Sequence, residues 1–93
     1  MPLEMTKHAT DRLKSRFGLA VDREQGAAIA TWMLSQSTRV EDAGDGCARY
    51  TKPGVWVVVV CQNGTVRTIC KDYYFREDVA KKWLKRLRRE VLG

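Results

Sequence analysis

The chain predicts an α+β domain with two N-terminal helices, a four-stranded antiparallel sheet and one basic C-terminal helix, in the order α-α-β-β-β-β-α. Three observations carry that expectation. Apolar residues recur at helical spacing near both ends of the 93 residues. The stretch between them is rich in β-branched residues. Glycine-containing turn signals divide that stretch into short segments.

Thr6 can cap a helix from about Lys7 to Phe17, where Ala9, Leu13 and Phe17 recur at i, i+4 and i+8. Gly18 supplies a left-handed stop, with Leu19 placed for the apolar contact that often follows it. Asp22 opens the second helix, and Gln25 three residues later completes a variant of the capping box. Ala27, Ala28 and Ala30 favour that helix, Ile29, Trp32 and Met33 add bulk, and it ends near Gln36.

Thr38–Glu41 and Cys47–Thr51 read as short strands around the turn-rich 42–46 segment. Pro53-Gly54 marks another turn. Val55–Cys61 is β-branched almost throughout, so it is expected to be central and covered on both faces. Asn63-Gly64 is a strong two-residue hairpin signal, and the next strand runs from Thr65 to about Asp72. That loop would set Gln62 opposite Thr65, Val60 opposite Arg67 and Val59 opposite Thr68. Val66, Thr68 and Cys70 would share a face with Val57, Val59 and Cys61. Arg67, Ile69 and Lys71 would share the other with Trp56, Val58 and Val60, where Arg67 and Lys71 could join Arg49 or Lys52 in a basic strip.

Arg76–Leu92 reads as an amphipathic helix with Val79, Trp83, Leu84, Leu87 and Val91 as its apolar stripe. Lys81, Lys82, Lys85, Arg86, Arg88 and Arg89 cover the remainder. The net charge is +6. Residues 76–93 hold seven basic residues against Glu77, Asp78 and Glu90, so positive charge is concentrated there. Such a helix can track a phosphate backbone, dock on an acidic protein surface, or simply be a solvated face.

Cys47, Cys61 and Cys70 form no CxxC pair, so neither a zinc site nor a disulfide framework is expected, and free thiols fit a reducing cytoplasm. No metal or cofactor is implied. The first residues lack the apolar core of a signal peptide, and the longest apolar run is too short to span a bilayer. These points lead to an expected soluble cytoplasmic protein without a membrane partner.

His8 is the single histidine. On a helix it aligns with Arg12 and Arg16, at i, i+4 and i+8, in a ridge beside the buried stripe. Imidazole transfers protons near neutral pH, and guanidinium binds phosphate in a planar, bidentate way. Together they suffice for metal-free RNA cleavage, in which a base activates the 2′-hydroxyl and cations hold the phosphorane. A histidine in a first helical turn is also commonly a plain surface residue, and helical arginines are commonly solvated.

His8-Ala9-Thr10-Asp11-Arg12-Leu13-Lys14-Ser15-Arg16-Phe17-Gly18-Leu19 resembles the HA-x-x-R-x-x-x-R-x-G-[IL] opening of small bacterial and phage domains of the DUF4258-type group. These are similar to the barnase–EndoU–colicin–RelE superfamily of metal-independent RNases, which includes many toxins. Val66-Arg67-Thr68-Ile69 resembles the V-x-T-[VI] element of their final strand. The resemblance covers roughly residues 6–72. It implies His8 as acid or base, Arg12 and Arg16 as phosphate ligands, and Thr68 as the hydroxyl that positions the phosphate or His8. The long basic C-terminal helix departs from that pattern.

The functional expectation is therefore a toxin-type endoribonuclease in a bacterial host cytoplasm. One alternative is a non-catalytic phage-encoded inhibitor of a host protein, using the basic helix. Another is a nucleic-acid-binding accessory module. The expected partners are RNA or an acidic protein such as a host enzyme or an antitoxin. Arg67, Lys71, Lys81, Lys82, Lys85, Arg86, Arg88 and Arg89 are the candidate contact residues. The aromatic run Tyr73-Tyr74-Phe75 could stack bases or pack the last helix onto the sheet.

Overall fold

After a short strand that was not expected, two helices, four strands and a final helix follow one another in the expected order in a computed structural model that describes residues 2–93. The elements are β1 (Glu4–Met5), α1 (Lys7–Phe17), α2 (Arg23–Gln36), β2 (Arg39–Gly44), β3 (Cys47–Lys52), β4 (Trp56–Cys61), β5 (Thr65–Lys71) and α3 (Glu77–Leu87). A π-helical turn, Arg88–Leu92, continues α3, so the expected single helix changes its winding near its end.

The sheet has five strands in the order β1-β5-β4-β3-β2, and it is mixed rather than purely antiparallel. The additional strand is β1, which runs parallel to β5 through Glu4↔Thr65 and Met5↔Val66. A two-residue strand has no period to read. It exists because Glu4 N–H donates to Gly64 O at 2.9 Å while the Met5 side chain enters the core. Met5 then packs on α2 at Gly26, where a side chain would press into it.

The helix caps form as expected. Gln25 N–H donates to the Asp22 carboxylate at 2.8 Å, and the Gln25 side chain accepts from Asp22 N–H. Gly18, at φ +67°, ends α1. Leu13, Phe17, Ile29 and Met33 from α1 and α2 bury against Val58, Val66 and Ile69, and α3 adds Ala80 and Leu87. Trp32, Trp56 and Trp83 meet in a triangle with centroids 5.9–6.1 Å apart. The Trp56 indole N–H is satisfied by Ser37 Oγ at 3.0 Å.

Strand β4 is central, but helices cover only its Trp56/Val58 face. Val57, Val59, Thr68 and Cys70 point the other way and belong to no part of the helix-packed core. The expectation of cover on both faces is thus corrected. A β-branched run also suits a strand flanked by two neighbours with one face open.

Two turns also differ from expectation. β2 extends to Gly44, and the β2–β3 turn is Asp45-Gly46, with φ of +54° and +73°, the left-handed pair that suits strand twist. The β4–β5 connection has three residues, Gln62-Asn63-Gly64. Gly64 N–H donates to Cys61 O at 2.9 Å, and Gly64 takes φ +83°. Val59↔Thr68 pairs as expected, but beyond it Val60 pairs with Val66, and Arg67 is left as the extra residue of a bulge. Among the described residues no helix is long and apolar enough to cross a membrane.

Candidate functional site

Thr6 determines where α1 sits on the sheet. Its hydroxyl accepts from Ala9 N–H at 3.0 Å, capping the helix, and donates to Val66 O of β5 at 3.0 Å. The first turn of α1 is therefore tied to β5 beside the bulge. His8 is carried to the rim of the open sheet face, where its Nε2 lies 3.2 Å from Thr68 Oγ1. Arg12, one turn on, donates from Nε to the same Nε2 at 3.4 Å. A nitrogen that accepts from Arg12 carries no proton, so this contact suits the tautomer protonated at Nδ1.

Three of the four residues expected to act together thus meet directly. Arg16 stands about 12 Å along the helix axis from His8, at 1.5 Å per residue. It is exposed, and it flanks Cys70 with Arg12 and Arg49. Burial pushes the Cys70 thiol up, Asp72 adds to that, and the three guanidiniums pull in the opposite direction.

The binding residues expected from sequence are divided among three places. Arg67 was expected beside Trp56 and Val58. The bulge turns it to the open face instead, where Nη1 reaches Cys47 Sγ at 4.0 Å. Lys71 stays on the other face, its Nζ over the Phe75 ring at 4.4 Å. Lys81, Lys82, Lys85, Arg86, Arg88 and Arg89 are exposed on α3 and its π turn. Since α3 packs on the covered face, they do not converge on His8. Arg86 is partly committed, pairing with Glu90 at 3.1 Å.

Sequence reasoning misplaced Arg49. The pairing Arg49↔Val59↔Thr68 puts it on the open face, in one transverse row with the His8 contact. The missing step was the β3–β4 register, since alternation within one strand cannot say which face it shares with the next. Arg39 lies on that face through Arg39↔Thr51↔Val57. Arg39 pairs with Glu41 at 3.0 Å. Among the described residues, Arg12, Arg16, Arg49 and Arg67 have no carboxylate partner. A shallow cavity of about 380 Å³ lies there, bordered by the cations Arg39, Arg49 and Lys71, the acids Glu41 and Asp72, and Tyr73. Tyr73 and Tyr74 are 90% and 76% exposed, so of the aromatic run only Phe75 packs into the fold.

The cysteines correct another expectation. Cys47 and Cys61 face each other across β3 and β4 and are joined as a disulfide, leaving only Cys70 free. Their sequence spacing carried no such signal; the strand register makes them neighbours. The argument from free thiols to a reducing compartment therefore no longer holds.

Comparison with known proteins finds no matching family model, no matching curated protein and no matching solved structure.

Proposed function

We propose that this domain acts on RNA and cleaves it without a metal, with His8 as proton acceptor and the open sheet face as the binding surface. The observation that carries the reading is the contact of His8 Nε2 with Thr68 Oγ1 and Arg12 Nε, beside arginines that have no carboxylate partner among the described residues. An unprotonated Nε2 can take the proton of a ribose 2′-hydroxyl. The 2′ oxygen then attacks the adjacent phosphorus, and the P–O5′ bond breaks. The 5′ oxygen leaves with a proton drawn from water, and the imidazolium returns its own proton to the hydroxide. Arg12 would hold the phosphorane oxygens, and Thr68 would orient the imidazole.

Arg16, Arg49 and Arg67 would then bind flanking phosphates, and Tyr73 and Tyr74 offer stacking surfaces for unpaired bases. The reading also agrees with the resemblance drawn from residues 8–19 and 66–69. The test is cleavage of total RNA by purified protein in EDTA, wild type beside His8→Ala. Cleavage by the wild type alone, leaving 2′,3′-cyclic phosphate ends, supports the proposal. Equal cleavage by both proteins, or by neither, overturns it; in the second case, binding without chemistry becomes the reading to pursue.

A further inference from the structure

Beyond the open sheet face, a second concave surface lies where the end of α1, the end of β5 and the flank of α3 meet. It encloses about 290 Å³. Phe17, Phe75, Ala80 and Leu84 supply apolar lining, and all four belong to or pack on the core. Arg16, Lys71, Lys81 and Arg88 supply positive charge against one acid, Glu77. Among the described residues none of these four cations has a carboxylate partner. All four are exposed at the surface.

This combination constrains the occupant. Four cations without a carboxylate partner among the described residues, one of them Lys71 lying over the Phe75 ring, favour a ligand that is apolar on one side and anionic at its edges. A nucleic acid backbone satisfies the cations but leaves the apolar lining unmatched. An amphipathic segment of a protein satisfies both, with aliphatic or aromatic side chains at i, i+3 or i+4 and i+7 seated on Phe75 and Leu84, and carboxylates flanking them. Depletion of counter-charge around the groove also predicts fast, salt-sensitive association with such a segment.

We infer that the groove between α1, β5 and α3 is a docking site for an acidic amphipathic helix of a partner protein. The inference stands apart from the RNA reading, because it uses neither His8 nor Thr68. Arg16 and Lys71 border both surfaces.

The probe is a synthetic acidic helical peptide with Leu at i, i+4 and i+7 and Glu at its flanks, set against a scrambled peptide of equal composition. Binding is read by fluorescence anisotropy without RNA, and by chemical-shift mapping on the labelled protein. The expected result is tenfold or tighter binding of the amphipathic peptide over the scrambled one, with shifts at Phe17, Phe75 and Leu84. Lys81→Glu with Arg88→Glu should weaken it at least tenfold. Lys82→Glu with Lys85→Glu, the same charge change on α3 outside the groove, should move it less than about threefold, taking one decade as 1.4 kcal/mol. Both pairs are exposed, and circular dichroism verifies that the variants fold. Equal binding of the two peptides, equal weakening by the two double reversals, or no binding at all would each overturn the inference.

Discussion

The two faces of the sheet are made from alternate residues of the same strands, yet their surroundings are opposite. On one face Trp56, Val58 and Ile69 are fully buried beneath α1, α2 and α3. On the other, Val59, Thr68 and Cys70 are half-buried, and Arg39, Arg49 and Arg67 stand over them. Burial of apolar area stabilises the fold through the first face at about 25 cal/mol per Å². The second face contributes less to stability, and among the described residues Arg49 and Arg67 there have no carboxylate partner while Arg39 pairs with Glu41. The contrast shows that burial and exposed charge can be separated residue by residue along one strand.

The sharpest way to break that comparison is at His8. His8→Ala should lower RNA cleavage in EDTA by about 10²–10⁴-fold, the usual range for general-base removal, with little change in the unfolding midpoint. A large loss of stability would mean that the rim of the open face is structural after all. On the covered face, Trp56→Ala should cost about 3–5 kcal/mol in urea unfolding, whereas Val59→Ala, on the open face of the same strand, should cost under about 1.5. Similar costs at both positions would show that the open face is covered in solution.

The Cys47–Cys61 bond joins β3 to β4 on the open side. Cys47→Ser with Cys61→Ser should lower stability by about 3 kcal/mol, the value for a closed loop of about 15 residues, measured against oxidised wild type. An unchanged midpoint would mean that the hairpin register alone holds the strands. Arg49→Ala with Arg67→Ala should flatten the salt dependence of RNA affinity by about 0.7 logarithmic units per lost phosphate contact. An unaltered slope would place the phosphates elsewhere.

The smallest effect concerns Cys70. Its thiol is held above its unfolded value mainly by burial. The folded state therefore favours the neutral thiol, and that stabilisation is present at neutral pH and lost as pH rises through the folded value. Thermal unfolding of wild type and Cys70→Ala across alkaline pH should show wild type losing ground to the variant. A constant difference would indicate a thiol open to water on that face.

Much of the architecture was legible because it depends on local rules. Thr6, Gly18, Asp22 and Gln25 set helix ends through their own hydrogen bonds and dihedral preferences, and the structure uses all four. The stripe of Ala9, Leu13 and Phe17 is fully interior. His8, Arg12 and Thr68 were legible as a group, and they do meet. What was not legible depends on neighbours in space. β1 is too short for a pattern and gains its identity from the edge of β5. The three-residue turn at Gln62–Gly64 and the bulge at Arg67 moved Arg67 to the open face and Val66, expected beside Thr68 and Cys70, into the core, against a strict alternation. The same dependence on register hid the face of Arg49 and the pairing of two cysteines.

By itself the sequence determined the helices, the order of the elements from α1 onward, the central strand and the alignment of His8 with Arg12 and Arg16, because capping, helical period and β-branching act within a few residues. Only the tertiary structure decided which sheet face is left open, which arginines stand on it and which cysteines join. Those outcomes depend on strand register and on a single inserted residue, and a shift of one position reverses the direction of a side chain.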